Sequence, residues 1–312
     1  MNYYLLPHYV NGDNLKFYIY SESLPDNIPT PVIAGIRLPL ATIELPPKPI
    51  TPSELSIKFK ISNNVYSFSP IIQNFLEPAL DKLYDDFMKK YYNSRMLRFK
   101  KYDGFYHTEI VYYFHHRVIH HDADTMIYKG QTIRDALEDI LMDEITTNEE
   151  SIFPNGTGAN VLMITSDNYI IIPKRSKNVS IARNKYAPSL SFGMLHAKTS
   201  NIIWWNIEKA LLREYNYIPN SSTETYFLGS FRNLFTMGSP ELYFVMKLTE
   251  GIDEFEAKIS DENKKIEAIE VENIIDDAEA LAYELDPDQT SEHVYAILFL
   301  IDFYKKALGK VL

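Results

Sequence analysis

The hydrophobic and polar positions change period several times along the chain. Residues 1–60 carry extended, β-favouring runs, and eight of the 17 prolines fall between Pro25 and Pro52. Proline cannot donate to a strand ladder, so this stretch is expected to give edge strands and loops. Lys58–Ile61 and Val65–Phe68 alternate around Ser62-Asn63-Asn64 and predict a hairpin. Ile72, Phe75, Leu76, Leu80, Leu83, Phe87 and Tyr91 then recur at helical spacing, predicting a helix from about Ser69 to Tyr92 with Pro70 in its first turn. A strand is expected over Gly104–Val118 and a short helix over Thr132–Ile145, followed by a polar loop with Pro154, Gly156 and Gly158. That loop is where a domain boundary is expected, giving regions of about 1–150 and 155–312.

The second region reads as strand, turn, strand, loop, helix, with strands at Val161–Thr165 and Tyr169–Pro173 around the turn Ser166-Asp167-Asn168. A helix follows over about Ile202–Tyr217, then strands around Glu224–Leu228 and Glu241–Leu248. A strand near Ile266–Val271 and a helix near Ile274–Leu285 are expected next. The final helix starts after Pro287, capped by Thr290 or Ser291 with Glu292 in its first turn. The pattern as a whole predicts an α+β protein without internal repeats.

Charge sharpens this picture. The 312 residues hold 31 Lys+Arg and 42 Asp+Glu, a net of −11. The imbalance is local: Glu250–Glu292 holds 16 acids and 3 bases, and the remainder is near neutral with 28 bases and 26 acids. A generally basic nucleic-acid coat is therefore excluded. The absence of cysteine removes disulfides, thiolate nucleophiles and Cys-ligated metal centres. The longest apolar run, Val294–Ile301, is far short of the ~20 residues that span a bilayer, and residues 1–10 lack a basic leader, so no membrane partner and a cytoplasmic location are expected.

One segment carries a family resemblance. The hairpin Asn160–Ser176 ends in basic residues, a glycine-containing loop Pro188–Gly193 follows, and the helix carries Glu208-Lys-Ala-Leu-Leu-Arg213-Glu214. In order and lengths of elements, Asn160–Lys247 resembles a divergent Nudix hydrolase domain, whose signature loop and helix carry an Arg-Glu pair followed by two more glutamates. The resemblance implies an α/β/α sandwich with a mixed sheet after the strand-rich N-terminal α+β region. It also implies a cleft for a nucleoside diphosphate linked to another group, with Mg²⁺ held by helix carboxylates. Arg213 and Glu214 occupy the Arg-Glu positions. The two following glutamates fall on Tyr217 and Ile218, Thr199 stands at the first glutamate's distance from Gly193, and Asn220 replaces the closing glycine.

On the resemblance, Glu214, Glu208 and Arg213 are the candidate catalytic residues, and Glu214 with Glu270 the candidate Mg²⁺ ligands. Glu267 and Glu272 are further acids that could be relocated to the site, or the acidic stretch simply solvates. Arg213 and Glu214 can equally brace the helix without doing chemistry. Lys174, Arg175, Lys177, Arg183 and Lys185 form a basic stretch without an acid, suited to phosphate or to plain exposure. Lys174, Arg175, Ser191 and Gly193 are the candidate ligand-binding residues. The expected function is recognition of a nucleotide-like small molecule with hydrolysis weakened or lost. The alternatives are an active Mg²⁺-dependent hydrolase with relocated carboxylates, and a regulatory or scaffold protein.

Three other features carry candidate chemistry. Phe114–Asp124 holds four histidines and two aspartates in no standard metal spacing, so a strand end running into a polar loop is favoured over a metal site. Lys89–Lys101 holds six bases, three aromatics and no acid, a pattern for single-stranded nucleic acid or a protein partner, or for a helix end followed by an inward-packing strand. Trp204-Trp205 on the second-half helix can stack on a base or sugar, or pack in a core or interface; oligomerisation is left open.

Overall fold

In the computed structural model, which describes residues 4–5, 9–10, 13–14, 30–128, 130–147, 150–175, 184–258, 268–270 and 274–309, a mixed sheet of seven strands organises the second half of the chain. The protein is α+β. The elements are β1 (Leu40–Glu44), α1 (Pro52–Ile57), β2 (Phe59–Val65), α2 (Pro70–Leu76), α3 (Leu80–Met88), β3 (Arg95–Tyr102), β4 (Tyr106–Tyr112), α4 (Tyr113–His120) and α5 (Ile133–Thr147). They continue with β5 (Gly158–Ile164), β6 (Tyr169–Ile171), β7 (Leu190–Gly193), α6 (Ile202–Tyr215), β8 (Glu224–Asn233), β9 (Ser239–Lys247), β10 (Ala268–Glu270), α7 (Ile274–Glu284) and α8 (Glu292–Leu308).

The main sheet runs β10-β6-β5-β9-β8-β1. Strand β5 pairs in parallel with β9 on one side; on its other side β7 covers residues 158–161 and β6 covers 163–164. Strand alternation splits the interior in two. Leu162, Ile164, Tyr243 and Val245 face α7 and α8. Val161, Met163, Leu242 and Phe244 face α6 and Leu55 of α1. Each face buries a near-continuous apolar layer, as expected for strands covered by helices on both sides.

The N-terminal half forms a three-stranded sheet β2-β4-β3 and a helical cluster around Ile72, Phe114, Leu137 and Phe153. Hydrogen bonds cross the expected boundary near residue 150. Strand β1 pairs with β8, and the free edge of β3 meets the loop before β5, with Phe99 donating to Asn155 O at 2.8 Å and Thr157 to Leu97 O at 2.8 Å. Tyr106 Oη lies 2.6 Å from Glu44 Oε2 and 2.7 Å from Ser230 Oγ, linking both sheets through one buried phenol.

Several expected elements change form. Residues 58–68 are no hairpin: Phe59–Val65 is one strand, parallel to β4, and Ser62-Asn63-Asn64 falls where the register slips. The long helix breaks between Leu76 and Leu80 because Pro78 has no N–H to continue the ladder. The strand expected to reach Val118 ends at Tyr112, where α4 begins; Asn93 Oδ1 accepts from Phe114 N at 2.9 Å and supplies the partner that starts the helix. The loop Pro188–Gly193 contributes strand β7. The turn at Ser166-Asp167-Asn168 is present, with Asn168 at φ 65°. No helix among the described residues is long and apolar enough to cross a membrane.

Candidate functional site

Helix α6 is built by its apolar stripe. Ile203, Ile207, Ala210, Leu211 and Tyr215 are buried, Asn201 caps the N-terminus on Trp204 N, and Asn216 ends the helix in the left-handed conformation at φ 50°. The stripe decides where the candidate catalytic residues go. Glu208 and Arg213 are exposed and Glu214 is half-buried. Arg213 Nε donates to the adjacent Glu214 Oε1 at 3.0 Å. Tyr217, at one of the signature's glutamate positions, is buried and donates its hydroxyl to Glu250 Oε2 at 3.0 Å; Ile218, at the other, is exposed.

Among the described residues no three His, Asp or Glu side chains gather as a metal site would need. The backbone of Glu270 pairs with Tyr169 at the sheet edge, its side chain lying outside the described residues, as do Glu267, Glu272, Lys177 and Arg183.

A different polar cluster forms on the α8 side of the sheet. Alternation puts Asn160 of β5 and Glu241 and Tyr243 of β9 on that face. Ser191 Oγ donates to Asn160 Oδ1 at 2.8 Å, and Asn160 Nδ2 donates to Glu241 Oε2 at 2.8 Å. At the start of α8, Glu292 Oε1 accepts from Asn233 Nδ2 at 3.0 Å. His293 Nε2 lies 3.6 Å from that carboxylate, and His293 Nδ1 shares a hydrogen bond with Tyr243 Oη at 3.0 Å. Burial pushes the Glu241 carboxyl up to about 8; nearby Glu292 adds to the rise and the Asn160 amide opposes it. Glu241 is thus held protonated at neutral pH.

Arg175 enters this cluster from the segment after β6, whose backbone is tied to residues 184–186 and through Tyr186 to 289–291. Its Nε is buried without a hydrogen-bond partner. Burial holds its pKa below the usual arginine value, and the carboxylates of Glu214 and Glu292 oppose that shift. Buried Lys185 is likewise lowered by burial, against Glu292, Asp288 and Asp286. Lys174 is exposed, with Nζ 5.1 Å from the Tyr186 ring centroid. Gly193 is set opposite Gly158, and Met96 Cε fills the space a β-carbon would need there.

The structure therefore brings Arg175, Ser191 and Glu214 toward one region and leaves Glu208 and Arg213 on the open face of α6. It adds Asn160, Asn233, Glu241, Glu292 and His293, which the sequence reading did not select. A faint signal existed: Glu241 is the sole acid of β9, directly before the apolar run Leu242–Met246.

The basic segment and the histidine cluster are built into the N-terminal half of the fold. In Lys89–Lys101, Arg98 is buried and pairs with Glu109 at 2.6 Å, Lys100 pairs with Glu150 at 2.6 Å, and Lys89 pairs with Asp86 at 3.1 Å. His115, His116 and His120 lie on helix α4 and His121 caps its end; the rings of His116 and His120 are tilted against each other with centroids 4.7 Å apart.

No family model matches the chain, and no curated protein matches it. Among solved structures it is similar to DR0079 from Deinococcus radiodurans, 16% identical over 46% of this chain and 80% of that one, with a TM-score of 0.30. It is also similar to a hydrolase of the NUDIX family from Clostridium perfringens, 8% identical over 48% of this chain and 97% of that one, with a TM-score of 0.31. These likenesses are partial, and neither site residues nor activity follow from them.

Proposed function

We propose that this protein recognises a nucleotide or a nucleoside-diphosphate-linked ligand in a Nudix-like cleft, with metal-dependent hydrolysis weakened or lost. The reading rests on the sequence resemblance over Asn160–Lys247 and on one observation, the under-satisfied guanidinium of Arg175. A half-buried guanidinium whose Nε is sealed from water without a hydrogen-bond partner is a costly arrangement. A phosphate group resolves it by accepting paired N–H bonds from the planar fork. Exposed Lys174, next in sequence, supplies a second positive charge. Ser191 offers a neutral hydroxyl, oriented by Asn160. Glu241, protonated at neutral pH, presents a hydrogen-bond donor rather than a repelling charge. Arg213 and Glu214 brace the end of α6.

Loss of hydrolysis is supported by the donor set of α6. Two signature glutamate positions hold Tyr217 and Ile218, and the first is committed to the core. A panel of nucleotide sugars, dinucleotides and deoxynucleotides, each with Mg²⁺ or Mn²⁺, tests the reading. Saturable thermal stabilisation without turnover is expected. Turnover abolished by Glu214→Gln would replace it with the active-hydrolase reading, and no stabilisation by any member would remove it.

A further inference from the structure

A second cleft, of about 360 Å³, lies away from Arg175, where the N-terminal ends of α1 and α6 meet the start of β8. Its volume falls within the usual range for small-molecule sites. Its walls are held in place before any ligand arrives. Ile50 and Phe227 exchange backbone hydrogen bonds at 3.2 and 2.7 Å, which docks the segment before α1 onto β8. Asn201 joins the two helices: its Nδ2 donates to Ser53 Oγ at 2.9 Å and its Oδ1 accepts from Ser56 Oγ at 3.0 Å. The capping box of Thr51 and Glu54 fixes the lip.

The chemistry of the lining is distinct. Trp204 supplies a half-buried aromatic wall. Thr225 shares the strand face of Phe227, which packs toward α6, and so points to the cleft side of the sheet. The hydroxyls of Thr223 and Thr225 are both buried without a hydrogen-bond partner. Buried hydroxyls are ordinarily satisfied, and two in one cleft wall, on buried Thr225 and on half-buried Thr223 just before β8, call for a ligand with its own hydroxyls. No lysine, arginine or histidine lines the cleft, and its one charged residue is the acid Glu224, so the lining disfavours a phosphate.

We infer that this cleft binds a neutral carbohydrate ring. The ring's C–H face stacks on Trp204, and its hydroxyls exchange hydrogen bonds with the threonines, Ser53 and Asn201. The inference is independent of the Arg175 site: a neutral sugar would bind here whether or not a nucleotide binds there.

The chain has only two tryptophans, so intrinsic fluorescence reports on the site directly. In Trp205→Phe, Trp204 becomes the sole tryptophan, read by excitation at the red edge where tyrosine does not absorb. Titration of that variant with maltose is expected to give a saturable change at a Kd of about 1 mM, typical of weak small-ligand sites. Glucose 6-phosphate and adenosine are the competitors. Trp204→Ala, followed by calorimetry, is expected to weaken maltose binding at least tenfold. Thr225→Val is an isosteric test that survives if Trp204→Ala fails to fold: removing an unpaired buried hydroxyl should leave the Tm unchanged or raised while weakening maltose binding several-fold. Tighter binding of adenosine or of glucose 6-phosphate than of maltose would overturn the carbohydrate assignment. So would maltose affinity unchanged in Thr225→Val, or no saturable signal with maltose at all.

Discussion

Gly158 and Glu241 stand opposite one another in the parallel pair β5–β9, and the Glu241 carboxylate occupies the space that a β-carbon on residue 158 would need. The glycine is what lets a carboxyl group sit against the sheet in reach of Asn160. Gly158→Ala is therefore expected to displace Glu241 and cost about 1–3 kcal/mol, the usual range for overpacking a filled site. Urea unfolding of the variant checks the cost, and an unchanged midpoint would show that the carboxylate moves aside freely.

The Glu241 carboxyl gives a pH signature with a definite sign. Its folded pKa is raised to about 8 from 4.5, so the folded chain holds a proton that the unfolded chain releases between those values. Its contribution to stability is fully present below pH 4.5 and is lost as pH rises through about 8. Glu241→Gln keeps an acceptor for Asn160 and removes the titration. The variant should be more stable than the parent above pH 8, with a flatter profile below it, as measured by denaturant titrations across pH.

The histidines of α4 act in the opposite sense. Burial holds His120 down at about 4 and His116 well below its ordinary 6.5, and His120 Nδ1 lies 2.7 Å from Thr236 O. The unfolded chain takes up protons first, so this stability is fully present above pH 6.5 and falls as pH drops toward 4. The loss from His120 is on the order of 3 kcal/mol at the acid end. His116→Phe combined with His120→Asn should flatten the acid limb of the same titration, and an unflattened limb would place the acid sensitivity elsewhere.

Arg98 and Glu109 form a buried ion pair at 2.6 Å, and Arg98 Nε also donates to Phe153 O at 2.8 Å. The guanidinium lies over the Tyr66 ring, 4.4 Å from its centroid. Glu109→Leu should cost about 3–5 kcal/mol because it leaves the arginine buried without its counter-charge. A loss below 1 kcal/mol in chemical denaturation would show that the carbonyls of Phe153 and Ser151 suffice for that guanidinium.

Local signals were readable where one element carried the whole message. The apolar stripe of α6, the turn at Asp167-Asn168 and the start of α8 after Pro287 all follow from residues close in sequence. The switch from β4 to α4 at Tyr113 was hidden, because Tyr106–Val118 is rich in aromatic and β-branched residues throughout, and the decisive partner, Asn93, comes from an earlier loop. The polar cluster divides in the same way. Arg175 and Ser191 lie in the hairpin and loop that carry the family resemblance. Glu241 meets Asn160 from 81 residues away, and Glu292 meets Asn233 from 59 residues away, so only the sheet pairing brings them together.

The central claim is that Arg175 takes a phosphate of a nucleotide-type ligand. Calorimetric titration of the parent and of Arg175→Met with a nucleoside-diphosphate sugar, at low salt and without metal, tests it most directly. The account predicts saturable binding to the parent and a loss of at least tenfold in Arg175→Met, corresponding to about 1.4 kcal/mol or more for a hydrogen-bonded charge pair. Equal affinity in the two proteins, or no binding to the parent, would contradict it.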